Sequence, residues 1–145
     1  MASATELNAL RLLGVNLPLD QPLPFGVIHV VRKGLPTKSA VNLSRRFEIQ
    51  ESQMAQVLGL SPRTFSRNKM RETTLDAAKS DRLFRLAKVL VRAIDVLEDE
   101  ETARNWLNLP NRALGNGRPL DLLDTDAGVE QVLTILGRIE YGVYS

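Results

Sequence analysis

MAQVLGLSPRTFSRNKM, residues 54–70, decides the fold. Met54, Ala55, Val57 and Leu58 recur at helical spacing and give a short helix one apolar face. Gly59 follows, where a residue free to take positive φ can end such a helix. Leu60 is placed to plug the turn into the core. Ser61 is an N-cap by residue type, and Pro62 occupies a first turn, where its missing N–H leaves no helical bond unmade. A second helix over residues 63–70 then buries Phe65, with Met70 as a further apolar candidate. Arg63, Thr64, Ser66, Arg67, Asn68 and Lys69 point outward. Helix, tight turn and helix of these proportions make a helix-turn-helix whose second helix suits a DNA major groove. Arg can address guanine and Asn adenine, while Lys and Ser hold phosphates. Ser61, Arg63, Thr64, Ser66, Arg67, Asn68 and Lys69 are therefore the candidate DNA contacts. Two short helices meeting at a glycine also occur in proteins that bind no DNA. The distinguishing feature is the combination of Ala55, Gly59, the Ser-Pro start and one cationic, amide-bearing face.

Charge supports that assignment. Residues 61–92 hold nine Lys/Arg against three Asp/Glu, whereas residues 93–145 hold four against ten. The basic block starts at the recognition helix, and such a block favours a polyanion through phosphate contacts and counterion release. The acidic block would be repelled by DNA and so faces water or another partner. The chain has 145 residues, 43% hydrophobic and 25% charged, the profile of a soluble globular protein. It has no cysteine, which excludes disulfides and thiolate metal sites. It has no apolar run of membrane-spanning length and no signal-peptide pattern. A cytoplasmic protein without membrane association is expected.

The remaining chain predicts helices. Ser3 to Glu6 forms a capping-box pattern ahead of a helix with Leu7, Leu10 and Leu13 inward, ended by Gly14. Residues 15–24 hold three prolines and read as a linker. FGVIHVVRK, residues 25–33, is ambiguous between strand and buried helix; with no second strand to pair with, helix is chosen. A helix over 37–47 brings Ala40, Val41, Leu43 and Phe47 to the core. Thr73 or Thr74 caps the longest helix, residues 76–99, where Leu83, Leu86, Leu90, Ile94 and Leu97 form an apolar stripe. A short helix over 100–107 carries Trp106, a loop spans NRALGNGRPLDLL, and Asp124 or Thr125 caps a last helix ending in EYGVYS. The class is all-α, in three parts: an N-terminal helix and linker (1–24), a helix-turn-helix domain (25–99) and a small C-terminal helical domain (100–145).

No constellation suggests catalysis. His29 is the only histidine and sits in an apolar run, so it reads as a core or interface residue. Gly115-Asn116-Gly117 lacks the phosphate-loop pattern and reads as a turn. Asp121, Asp124 and Asp126 lack calcium-loop spacing, and helix capping accounts for two of them. No metal and no cofactor are expected. Trp106 reads as core. Two tyrosines in the last five residues suggest a tail that docks, on its own core or in a partner's cleft.

Most of the chain resembles the Xre/MbcA/ParS antitoxins that accompany RES-domain toxins. The resemblance rests on GLSPRTFSR at 59–67, SDRLFRLAKV at 80–89 and, above all, residues 103–145. There Trp106, Pro110, Asn111, Leu114, Gly115, Pro119, Asp121, Leu122, Thr125, Gly128, Gly137, Arg138, Tyr141 and Gly142 stand at the family's motif positions. Gly117 follows Asn116 where the family often has Gly-Gly, a small departure. The resemblance implies a Cro/CI-like helix-turn-helix domain that dimerises and binds operator DNA, followed by a toxin-binding domain. It implies a RES-domain, NAD-consuming toxin as partner, inhibited when the C-terminal part covers its active site. Trp106, Arg138, Tyr141, Gly142, Val143, Tyr144 and Ser145 are then the candidate toxin-binding residues. The alternative is a stand-alone helix-turn-helix regulator with a C-terminal ligand-sensing or dimerisation domain.

Overall fold

Eight α-helices are present in the computed structural model, which describes residues 4–17 and 25–142. They are α1 Ala4–Leu12, α2 Phe25–Lys33, α3 Thr37–Phe47, α4 Glu51–Leu58, α5 Pro62–Met70, α6 Ala77–Leu97, α7 Glu100–Asn108 and α8 Asp126–Glu140. Two 3-10 segments, Arg112–Leu114 and Pro119–Leu122, lie between α7 and α8. Among the described residues there is no strand, only the isolated bridges Pro36 to Thr74 and Asn111 to Gly117. The ambiguous run FGVIHVVRK is helix α2. The expected cap at Ser3, residues 18–24 of the linker, and Val143, Tyr144 and Ser145 lie outside the described residues.

The chain forms two compact units, Met1–Lys88 and Val89–Ser145, so α6 supplies residues to both. In the first unit α3, α4 and α5 pack on one another. Phe47, Met54, Ala55, Leu58, Phe65 and Leu83 are all but fully buried there. Buried polar groups stitch the connection between α2 and α3 to the start of α6. Leu35 N–H donates to Ser80 Oγ at 2.8 Å, and Ser80 Oγ donates to Leu75 O at 3.2 Å. Thr37 donates to Thr73 O through both its N–H and its hydroxyl, at 3.1 and 2.7 Å. Gly34 makes this crossing possible: its φ is +109°, and a Cβ there would lie 2.5 Å from Leu75 O.

In the second unit α7 and α8 both pack against the Pro119–Leu122 segment. Leu107, Leu120, Leu123, Val132 and Leu136 form its core with Val89, Leu90 and Ala93 of α6. Thr125, rather than Asp124, caps α8 by accepting Gly128 N–H at 3.0 Å. Gly128 is required at that point, since a Cβ would meet Leu122 O at 1.7 Å.

Several local expectations are corrected. Asp76, not Thr73 or Thr74, caps α6: its carboxylate accepts Lys79 N–H at 2.8 Å, a bond that holds its pKa below the ordinary value. The threonines are used instead at the Pro36 bridge and in closing the end of α5, where Thr73 N–H donates to Asn68 O. The long helix stops at Leu97, because Glu98 takes φ +69° and Asp99 caps α7. Met70 is 81% exposed and His29 is exposed, so neither is a core residue; Trp106 and Leu60 are only half-buried.

Candidate nucleic-acid interface and C-terminal binding surface

The first surface is built on α4 and α5. Gln50 and Gln53 form a reciprocal capping box at the start of α4, which satisfies N–H groups that have no partner within the helix. Gly59 ends α4 at φ +80°. Arg82 of α6 adds a second closure there, donating from Nη1 to Val57 O at 3.1 Å. Ser61 then caps α5, accepting Thr64 N–H at 3.1 Å and donating to Thr64 Oγ1 at 2.9 Å. Phe65, 1% exposed, anchors α5 in the core. With Phe65 inward, helical spacing sets Arg63, Ser66, Arg67 and Met70 on the opposite face, and all four are exposed.

The seven candidate DNA contacts therefore occupy different situations. Arg63, Ser66 and Arg67 stand exposed on one face of α5. Ser61 and Thr64 are engaged with each other at the cap, and Thr64 is half-buried. Asn68 is half-buried, and its carbonyl is taken by Thr73. Lys69 is paired with Glu51 of α4, its Nζ 3.0 and 3.1 Å from the two carboxylate oxygens. Met70 extends the exposed face, and the sequence reading missed it by treating an apolar residue as core. The 63, 66, 67, 70 spacing was the available signal.

The second surface is on the C-terminal unit. Asn111 shapes the loop after α7: its side chain accepts Ala113 N–H, its carbonyl accepts Asn116 N–H, and its own N–H donates to Gly117 O. Gly115 and Asn116 both take positive φ, so the Gly-Asn-Gly stretch is a turn. Arg118 grips Asp121 with two bonds of 3.0 and 2.8 Å. Among the described residues no group of His, Asp and Glu is arranged to hold a metal ion.

The end of α8 is tied to α6. Arg92 donates to both oxygens of Glu140 at 3.1 and 3.0 Å. This fork raises the Arg92 pKa and lowers that of Glu140. The next residue, Tyr141, closes the helix as its C-cap and is 79% exposed; Gly142 follows at φ +69°. Arg138 is exposed on α8, Trp106 is half-buried on α7, and Leu109, just past α7, is 59% exposed. Glu140 was not among the predicted site residues, because its partner lies 48 residues away.

Charge divides between the units. Residues 1–88 hold fourteen Lys/Arg against seven Asp/Glu, and residues 89–145 hold five against ten. Residues 26–88 match the Antitoxin Xre-like helix-turn-helix domain, and residues 92–142 match the Antitoxin Xre/MbcA/ParS C-terminal toxin-binding domain. A protein named Antitoxin Xre from Photorhabdus laumondii is 28% identical, across 80% of this chain and 79% of its own. One named Prs ADP-ribosylating antitoxin, from a Sphingobium species, is 27% identical over 99% of both chains. A structure titled as the M. tuberculosis MbcT-MbcA toxin-antitoxin complex contains a chain with the same fold. Its TM-score is 0.54 at 23% identity, covering 75% of this chain and 96% of that one.

Proposed function

Because the chain belongs to the Xre/MbcA/ParS antitoxins, with a helix-turn-helix and a toxin-binding domain, we propose that it neutralises a RES-domain, NAD-consuming toxin and represses its own operon. It acts by binding and not by turnover. The observation that carries this reading is the division of charge in one chain: a unit of net charge +7 with an exposed arginine face, and a unit of net charge −5 whose last helix is capped by an exposed tyrosine, Tyr141. A polyanion favours the first unit and a differently charged protein surface the second.

On this reading Arg63, Ser66 and Arg67 address DNA, while Ser61 and Thr64 set the angle at which α5 enters the groove. Asn68 completes the set at the far end of α5, where Lys69 is held by Glu51 and makes no phosphate contact of its own. Trp106, Arg138, Tyr141 and Gly142 form the toxin-facing surface, and Val143, Tyr144 and Ser145 extend it into the toxin's active site. Exposed Phe25 and Ile28 on α2 supply an apolar face for a homodimer. Operator DNA places the protein in the cytoplasm.

The test is co-expression with a RES-domain protein encoded beside its gene, reading NAD⁺ loss and co-purification. The full chain should bind and silence the toxin, and a chain ending at Glu140 should bind it but restore NAD⁺ loss. Full inhibition by the shortened chain would discard the tail as the inhibitory element. Absence of any complex would leave a stand-alone regulator.

A further inference from the structure

We infer that Glu51 is a specificity-determining residue of the DNA-binding face: by holding Lys69, it withholds one cation from the phosphate backbone and so lowers affinity for non-operator DNA. The inference rests on the DNA-binding reading above and deepens it.

Lys69 lies in the last turn of α5, on the helix that carries Arg63 and Arg67. Its ammonium is shared by both oxygens of Glu51, at 3.0 and 3.1 Å, and the two side chains are 46% and 38% exposed. Glu51 is the first residue of α4, directly after the Gln50 cap, a helix end that on its own favours anions. A carboxylate there cancels that preference and also occupies the lysine. Were Lys69 to reach for a phosphate, it would leave Glu51 unpaired against the polyanion. Arg63 and Arg67 are exposed and have no acidic partner among the described residues. They supply the cationic contacts of α5, and Lys69 does not. A solvent-exposed ion pair adds little to stability, so its effect belongs mainly to association with a charged partner. Phosphate contacts supply most of the sequence-independent affinity, and each contributes close to one unit to the slope of log K against log salt.

The experiment measures binding of the full chain to a random-sequence 25-base-pair duplex across a salt series, for Glu51→Gln, Lys69→Gln, the double variant and Arg67→Gln. Thermal melts confirm that each variant folds. Glu51→Gln should raise affinity for the random duplex roughly tenfold at low salt and steepen the slope by about one unit. Lys69→Gln should leave the slope unchanged, and the double variant should behave like Lys69→Gln. Arg67→Gln should lose about one unit. A gain from Glu51→Gln that persists without Lys69 would overturn the inference, because simple charge removal would then explain it. A loss of one unit in Lys69→Gln alone would overturn it too. No salt-dependent binding by the parent protein would sink the DNA-binding reading itself, and this inference with it.

Discussion

Gly128 and Gly137 lie nine residues apart in one helix and predict opposite outcomes. A methyl group at Gly128 would lie 1.7 Å from Leu122 O, backbone that cannot yield without shifting the 3-10 segment that α7 and α8 pack against. Gly128→Ala should destabilise by about 3 kcal/mol or more, the upper range for overpacking. In a chain of this size that lowers Tm by roughly 6–12 °C, which calorimetry would show. Gly137 has nothing within 4 Å of its added Cβ and sits inside α8. Gly137→Ala should raise stability by about 0.5–1 kcal/mol through lost freedom of the unfolded chain. At the same scale, Arg67→Ala should weaken DNA binding and flatten its salt dependence by about one unit, measured by fluorescence anisotropy. Residue types foretold the Ser61 cap and the Gly59 stop because both obey rules spanning three or four positions. They gave no sign that Gly128 is crowded by a carbonyl, because that depends on where another segment lies. The outward placement of Met70, by contrast, was carried by its spacing from Arg63, Ser66 and Arg67.

Helix ends show the same limit one level up. The period of apolar residues located the longer helices, and α2 was chosen only for want of a strand partner, but α6 was expected to begin under a threonine and begins under Asp76. The threonines were already committed to Pro36 and to the end of α5, a pairing that no local pattern displays. The ties that orient the helices of each surface are likewise remote in sequence: Glu51 to Lys69, Val57 to Arg82 and Arg92 to Glu140 are 18, 25 and 48 residues apart. The last pair predicts a pH dependence. Arg92 lowers the Glu140 pKa, as Lys79 N–H lowers that of Asp76 and Thr102 N–H that of Asp99. A carboxylate with a depressed folded pKa contributes stability above its unfolded value, near pH 4. That contribution is lost as pH falls through the lower folded value. Thermal melts at pH 7 and pH 3 should show a smaller acid-induced drop in Glu140→Gln than in the parent. Equal drops would mean that the fork does not hold in solution. Arg92→Lys, which keeps the charge but loses the two-pronged grip, should weaken toxin inhibition while DNA binding stays level.

For the molecule as a whole, opposite net charges on the two units predict separable activities. Arg63→Ala with Arg67→Ala should abolish salt-sensitive DNA binding and leave NAD⁺ protection intact in the co-expression assay. Truncation after Glu140 should do the reverse. Loss of both activities in either variant would show that DNA and toxin share determinants. Much of this division was legible in the charge map, because composition along a chain survives folding unchanged. The junction was harder to read, since apolar periodicity runs through it without interruption. Leu83, Phe84, Leu86 and Ala87 of α6 are buried before the junction at residue 88, and Val89, Leu90, Val91 and Ala93 after it. A protease seeking a seam between the halves meets hydrogen-bonded helix in which nearly every neighbouring side chain is committed to a core. Limited digestion of the native protein should therefore yield no fragment ending between Ala77 and Leu97. A gene cut at that junction would encode a bare strip of valine and leucine at the new terminus, not an independent half.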